Sequence, residues 1–490
     1  MRSALFGGFM KEFAYPGLMA WFRAVSDIPR RSYHEEKIAD FLVAFAKERG
    51  LFVLRDGAHN VLIRKDATAG REHEAPILLQ GHTDMVCEKR DGVSHDFNTD
   101  PLQLREKDGW LFAEGTSLGA DNGVAVAVML YLLDGAEGNL VSHPPLECLF
   151  TSAEEVGLDG AKAFDYSVIA AKRMINMDSA DESTVVAGCA GGLRTNVTYH
   201  AVTIPANGFA YRICVGGLAG GHSGEDIDRG RASANSCLGR LLCRLAERHS
   251  FFFVSLHGGN ADNAISRLAE AVIVADQPFD ADAFASEMAE ELSVELVEED
   301  KGCFVTAESV SLPETMMDRK SSADLCLMLG TVAVGVLARY PGHREMVGFS
   351  RNLGVLTASD DCQTVEMVFN SRSAEAAQID WSMTQLNAYA RYLGADIRHY
   401  NRYPGWHVAE QSPLRDAYCR AYREIFGWDA KVTALHAGLE AGIIKDRIPD
   451  LDVISCGPVV ENLHSPDERM DLRSFENFFR VLCRVLESRE

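Results

Sequence analysis

The chain has 490 residues, 47% of them apolar and 24% charged, which excludes a disordered or collagen-like polymer. A single hydrophobic core stops growing at about 250–300 residues, so at least two cores are expected. Lys and Arg number 48 against 71 Asp and Glu, a formal charge of −23, and so acidic a surface repels phosphate backbones and anionic lipid; neither nucleic acid nor membrane is expected as a partner.

In chain order, the apolar run Ala4 to Met10, between Arg2 and Lys11, is too short and too poorly flanked for a signal peptide. Leu18 to Gly50 reads as helix, with apolar residues at helical spacing, Lys47 and Arg49 in the last turn and Gly50 as the stop. Leu51 to Arg64 alternates as two short strands around Gly57. Pro76 to Gln80 is a strand ending in Gly81-His-Thr-Asp84, and Asn122 to Leu133 is a helix. Leu146 to Thr151 is a strand ending in Glu154-Glu155, and Arg173 to Met177 is another ending in Asp178. This rhythm predicts an α/β fold: a mixed, largely parallel sheet with helices on both faces.

After Gly188-Cys-Ala-Gly-Gly192 the texture changes. Leu193 to Val215 alternates over long strands, as an antiparallel sheet with one wet face does. A helix follows from about Ser233 to Arg248, and the uncharged run Leu325 to Ala338, 14 residues long, predicts a buried helix, being shorter than the ~20 residues of a membrane span. Pro404-Gly405 marks a boundary. Beyond it come a helix from Ser412 to Gly427, a strand at Asp452 to Cys456 and an amphipathic helix from Asp471 to Glu487. The expected organisation is one domain built from residues 1–190 and 405–490, with an α+β domain, 191–404, inserted as a lid. The 12 cysteines, spread from Cys87 to Cys483, form no CxxC pair; the closest, Cys237 and Cys243, are separated by five residues. Such scatter fits reduced thiols and a cytoplasmic address.

Open α/β sheets gather functional groups where strands end. Five such positions here carry acids or histidines: His82 with Asp84, Asp121, Glu154 with Glu155, Asp178, and His464. Singly, each has a bland reading, a helix cap for Asp121 or a solvated turn for the Glu pair. Together they are a nitrogen and oxygen donor set suited to Zn²⁺, Mn²⁺ or Co²⁺. Asp84, two residues beyond His82, is placed to take the second ring N–H of a ligating imidazole. Adjacent glutamates point in opposite directions on an extended backbone, so one can bind metal while the other serves as a general base.

Six strings, Gly81-His-Thr-Asp-Met-Val86, Gly119-Ala-Asp-Asn-Gly123, Ser152-Ala-Glu-Glu-Val156, Gly220-Gly-His-Ser-Gly224, His436-Ala-Gly-Leu-Glu440 and Asn462-Leu-His-Ser-Pro466, resemble the M20 co-catalytic metallopeptidases, most of all their aminoacyl-histidine (Xaa-His) dipeptidase branch. The resemblance implies a zinc-exopeptidase-like fold and two Zn²⁺, or Co²⁺ or Mn²⁺ in their place, bridged by Asp121 and a water. One metal would add His82 and Asp178, and the other Glu155 and His464. It further implies that Asp84 orients His82, that Glu154 is the general base, and that His222 from the lid steadies the tetrahedral intermediate. Asn263, Arg372 and Gly438 would hold a small peptide substrate. Arg372 suits a terminal carboxylate because a guanidinium fork matches its two oxygens. A homodimer is compatible with the family. The rival readings are an M20 peptidase or deacylase of other specificity, a catalytically silent metal-binding homologue, and a phosphoesterase, which lacks a Gly-rich phosphate cradle here.

Overall fold

The strand Ile77–His82 is buried along its whole length in the computed structural model, which describes residues 14–135, 141–341 and 343–489. The run Ala4 to Met10 lies outside the described residues. The chain folds as two compact units, Met1–Cys189 with Trp406–Ala434 and Leu439–Glu490, and Ala190–Gly405 with Leu435–Gly438.

In the first unit an eight-stranded sheet runs in the order Phe52–Arg55, Val61–Lys65, Leu146–Thr151, Ile77–His82, Arg173–Asn176, Asp452–Ser455, Thr184–Cys189, Lys431–Leu435. Its centre is parallel: Ile77–His82 pairs with Leu146–Thr151 on one side and Arg173–Asn176 on the other, and Asp452–Ser455 continues the set. The flanking pairs through Val61–Lys65 and Thr184–Cys189 are antiparallel. Register sets His82 opposite Thr151 and Gln80 opposite Asn176, so the segments that follow these strands emerge at one sheet edge.

The helix Ala120–Asp134 is apolar all round and nearly every residue in it is buried, as a helix inside a core must be. It lies close against Ile77–His82 because position 81 has no side chain: a Cβ there would stand 2.2 Å from Asn122 Oδ1 and 2.3 Å from Ala125 Cβ. That approach carries Asp121 toward His82. The closing helix Leu472–Glu487 begins at Asp471, whose carboxylate caps Ser474 N–H at 2.8 Å, and buries Phe475, Phe478, Phe479 and Leu482 in the same core.

Two expectations are corrected. Leu18 to Gly50 is not one helix but two, Pro16–Ser26 and Glu36–Glu48; Pro29 lies in the break, where a missing N–H and a fixed φ favour irregular backbone. The run Leu325 to Ala338 is likewise divided, between the helix Arg319–Thr331 and the strand Gly335–Tyr340. The strand starts at a glycine with φ +88°, a conformation that ends the helical path.

The second unit holds a nine-stranded antiparallel sheet. Its order is Phe304–Ser309, Phe209–Gly216, Ala269–Ala275, Phe251–Gly258, His343–Ala358, Thr364–Ser373, Gly191–His200, Asp396–Tyr403, with Gly335–Tyr340 also on His343–Ala358. The alternation of Gly191–His200 and Phe209–Gly216 buries every second residue, as the sequence pattern predicts. Helices Ala234–Ala246, Arg319–Thr331 and Ala376–Leu393 contribute Leu238, Leu242, Leu325, Met328 and Leu386 to its core.

Candidate active site

Five acidic or imidazole side chains of the first unit meet at the sheet edge. Asp121 Oδ1 lies 2.9 Å from His82 Nε2, and Asp121 Oδ2 lies 3.3 Å from His464 Nε2. Asp178 Oδ1 is 3.7 Å from the same His82 nitrogen, and Glu155 Oε2 is 3.1 Å from the same His464 nitrogen. Two carboxylates thus attend each imidazole, and Asp121 is common to both. Glu154 stands further back, with Oε2 4.0 Å from His82 Nε2.

The backbone explains these placements. Asp121 has φ −79° and ψ 107°, outside the helical region, and no side-chain cap bond is made at this helix start; its carboxylate faces the histidines instead of capping. Glu154 and Glu155 do not alternate on a strand. They follow Ala153, which has φ 49°, and both backbone N–H groups point at the Asp84 carboxylate, at 3.0 and 3.2 Å. Asp84 also accepts from Ser32 Oγ at 2.8 Å and lies 3.4 Å from His82 Nδ1. His82 Nδ1 lies nearer the Asp84 backbone carbonyl oxygen, at 3.1 Å, while the buried Asp84 carboxylate shapes the glutamate turn. His464 sits in a left-handed turn, with φ 60°.

Four supporting groups escape sequence reasoning. Arg30 is fully buried and donates to the carbonyl oxygens of Thr83, Asp84 and Gly119 at 3.0, 3.1 and 2.5 Å. Glu468, also buried, accepts the backbone N–H groups of Leu118, Gly119, Ala120 and Asp121 at 2.8, 2.8, 2.8 and 3.3 Å. Glu35 accepts from Ala153 N–H at 2.8 Å. Beneath the sheet edge Glu440 accepts from Gln80 Nε2 and Thr151 Oγ1, both at 2.6 Å. Glu440 closes the string His436-Ala-Gly-Leu-Glu440 without a role being assigned to it there, and the Asp27-Ile-Pro-Arg30 segment could have marked Arg30; no sequence signal marks Glu35 or Glu468.

Burial and charge act against each other here. Burial pushes the His82 imidazole down, but hydrogen bonds with Asp121, Asp178 and Asp84 outweigh it and hold the ring well above its ordinary range. His464 is lifted to about 11 by its bonds to Asp121 and Glu155. Burial likewise opposes ionisation of Asp121, yet the two histidines hold its carboxyl far below the usual range. Glu154 is pushed well up by burial, helped by the charges of Asp178 and Glu155. Burial also raises Glu155 and Asp178, and lifts Glu440 to about 8. Carboxylates outnumber the imidazoles in this cluster, and so many buried acids are costly without a further cation. Ligand atoms of His82, Asp121 and Glu155 lie within 4.8 Å of one another, and Glu155 Oε1 is buried with no hydrogen-bond partner. The residues fit a divalent metal, and the nitrogen and oxygen set is of the kind zinc, cobalt and manganese take.

In the second unit His222 lies in a two-residue strand, Gly221–His222, paired with Ala264–Ile265; Ser223 N–H donates to the Asn263 carbonyl at 2.8 Å. Glu225 N–H donates to His222 Nδ1 at 3.2 Å. Arg372 reaches His222 Nε2 at 3.4 Å and donates to the Tyr403 hydroxyl at 3.1 Å. Gly438 packs on that tyrosine, where a Cβ would be 2.7 Å from Cε2. His222, Asn263, Arg372 and Gly438 therefore form one neighbourhood. Sequence reasoning does not assign His436, whose Nε2 is 2.7 Å from Ser350 Oγ. Burial, with the charge of Arg372, holds its ring down to about 3, so it is neutral.

The sequence profile described as Peptidase family M20/M25/M40 matches residues 78–488. The cytosol non-specific dipeptidase of Escherichia coli (strain K12) is 35% identical over 470 residues, 95% of this chain and 96% of that protein. The crystal structure of an aminoacylhistidine dipeptidase from Vibrio alginolyticus superposes with a TM-score of 0.89 at 32% identity, covering 98% of each chain. A tripeptidase from Staphylococcus aureus shares the fold at TM-score 0.55 and 16% identity, over 96% of this chain and 97% of that one.

Proposed function

The chain belongs to peptidase family M20/M25/M40 and is a metallo-dipeptidase, and from that premise we propose that it cleaves the peptide bond of dipeptides, Xaa-His foremost, with two zinc ions. Cobalt or manganese would serve in their place. The observation that carries the two-ion reading is Asp121, which turns one carboxylate oxygen to His82 and the other to His464. His82 and Asp178 would hold one ion, Glu155 and His464 the other, and Asp121 both.

Bound there, the ions supply Lewis acidity, which lowers the pKa of water and polarises a carbonyl. Glu154, set back from the histidines and raised by burial, takes the proton of the attacking water and passes it to the leaving amine. Asp84 keeps His82 in one orientation. His222 donates Nε2–H to the oxygen on which negative charge develops, and Arg372, Asn263 and Gly438 hold the substrate. The preference for a C-terminal histidine rests on the name of the Vibrio alginolyticus relative. A cytoplasmic address accords with 12 free cysteines and with the name of the Escherichia coli relative, and the assembly proposed is a homodimer. Among the described residues, no helix is long and apolar enough to cross a membrane.

A dipeptide panel containing β-Ala-His and non-histidine dipeptides, run on metal-stripped and zinc-restored protein, tests this. The expected result is zinc-dependent turnover that is fastest on Xaa-His. Equal turnover on all dipeptides would remove the histidine preference, and turnover confined to tripeptides or N-acyl amino acids would remove the dipeptide reading.

A further inference from the structure

Cys243, in the helix Ala234–Ala246, and Cys326, in the helix Arg319–Thr331, bring their sulfurs to 3.7 Å across 83 residues of chain. Cys243 Sγ also lies 3.5 Å from the carbonyl oxygen of Cys326. Both residues are half-buried. Two glycines make the contact. A Cβ at Gly239 would stand 2.5 Å from the Leu329 carbonyl oxygen, and one at Gly330 would stand 2.1 Å from Cys243 Sγ. The helices therefore pack backbone to backbone, and the Cys243 sulfur fills the space a side chain at 330 would take. Among the described residues no other two cysteine sulfurs touch in this way.

We propose that Cys243 and Cys326 are a reversible thiol modification site, a dithiol that a hydroperoxide converts to a disulfide tying the two helices together. In the first step the Cys243 thiolate attacks one peroxide oxygen: a sulfur–oxygen bond forms, the oxygen–oxygen bond breaks, and the other oxygen leaves with a proton as an alcohol, or as water from hydrogen peroxide. In the second step the Cys326 sulfur attacks the sulfenic sulfur. The sulfur–sulfur bond forms, and the hydroxyl leaves with the Cys326 proton as water. Two thiols lose two electrons and the peroxide gains them. Contact between the two sulfurs draws the Cys243 thiol down to about 7 against burial and pushes Cys326 up, which accords with Cys243 as the attacking group. Thiolate character and access select which cysteine is oxidised. The sulfurs must close from 3.7 Å to a bond of about 2.05 Å.

The test is to treat the fully reduced full-length protein with a slight excess of hydrogen peroxide and map its thiols by mass spectrometry. Expected are a loss of about 2 Da, from the two thiol hydrogens, and a proteolytic fragment joining the Cys243 and Cys326 peptides that dithiothreitol separates. In Cys326→Ser the oxidation should stop at a sulfenic acid on Cys243 that dimedone captures. The proposal is overturned if the wild-type crosslink maps to other cysteines. It is equally overturned if Cys243 advances to sulfinic acid while Cys326 remains open to alkylation. The wild-type map decides this without any variant having to fold.

Discussion

Glu468 holds Asp121 by the main chain, not by the side chain. Its carboxylate accepts the N–H groups of Leu118, Gly119, Ala120 and Asp121, and so fixes the segment from which Asp121 faces both histidines. Arg30 grips the same segment from Gly119 O and the neighbouring one from Thr83 O and Asp84 O. A buried cation and a buried anion thus set the distance between two ligand-bearing segments without touching the ligands' own side chains.

Glu468→Gln tests this arrangement. The amide keeps the shape but turns an NH2 group toward backbone donors, leaving buried N–H groups unpaired at a cost of about 3 kcal/mol. Metal affinity should fall by ~10–100-fold, the loss typical when a ligand's supporting partner is removed. Chemical denaturation and metal titration check the two effects; an unchanged affinity would show that the segment holds its shape unaided.

Glu154→Gln should leave metal content intact and lower kcat by ~10²–10⁴-fold, the contribution of a general base. The amide cannot accept the proton of water, while Asp84 still receives the backbone N–H groups of residues 154 and 155. Metal analysis beside steady-state kinetics reads both quantities, and near-wild-type kcat with full metal content would take the proton-transfer role from Glu154.

Asp121→Ala should empty both metal positions together, since it removes the carboxylate that both histidines face. His464→Ala should weaken one position and spare the other. Elemental analysis after dialysis against a fixed free zinc concentration distinguishes them. Two tightly held ions in Asp121→Ala would rule out a shared carboxylate.

Metal binding should release protons. His464 in the metal-free chain is lifted to about 11 and His82 stands above its ordinary range, so both rings are charged at pH 7. A metal takes only the neutral ring. Apparent affinity should therefore rise with pH through neutrality, about tenfold per unit for each proton displaced, and fall as the solution is acidified. Calorimetry in buffers of different ionisation enthalpy measures the count; a value of zero would mean the histidines are not ligands.

His222→Ala should reduce kcat by ~10²–10³-fold, the loss seen on removing one oxyanion donor, while KM and metal content change little. On the proposed mechanism a hydrogen-bond donor, not a base, is lost. A variant that raises KM at constant kcat would make His222 a binding residue only.

The sequence alone determined the local elements and the types of ligand. Strands Ile77–His82, Leu146–Thr151 and Arg173–Asn176 are visible as short apolar runs, and the acids and histidines stand at or just beyond their ends, because burial on both faces demands apolar residues and leaves polar ones for the edge. The same local logic errs at Leu18 to Gly50 and at Leu325 to Ala338, where apolar spacing continues across a backbone break that Pro29 or Gly335 introduces. What only the tertiary structure decided is which groups meet. Arg30 and Glu468 look in sequence like any exposed charge. Nothing in a linear pattern reports that Glu468 closes on four N–H groups about 350 residues away, or that Cys243 touches Cys326 across 83 residues. Hydrogen bonds and thiol contacts are short-ranged, so they depend on distances that chain separation does not encode and that the packing of helix on sheet and helix on helix sets.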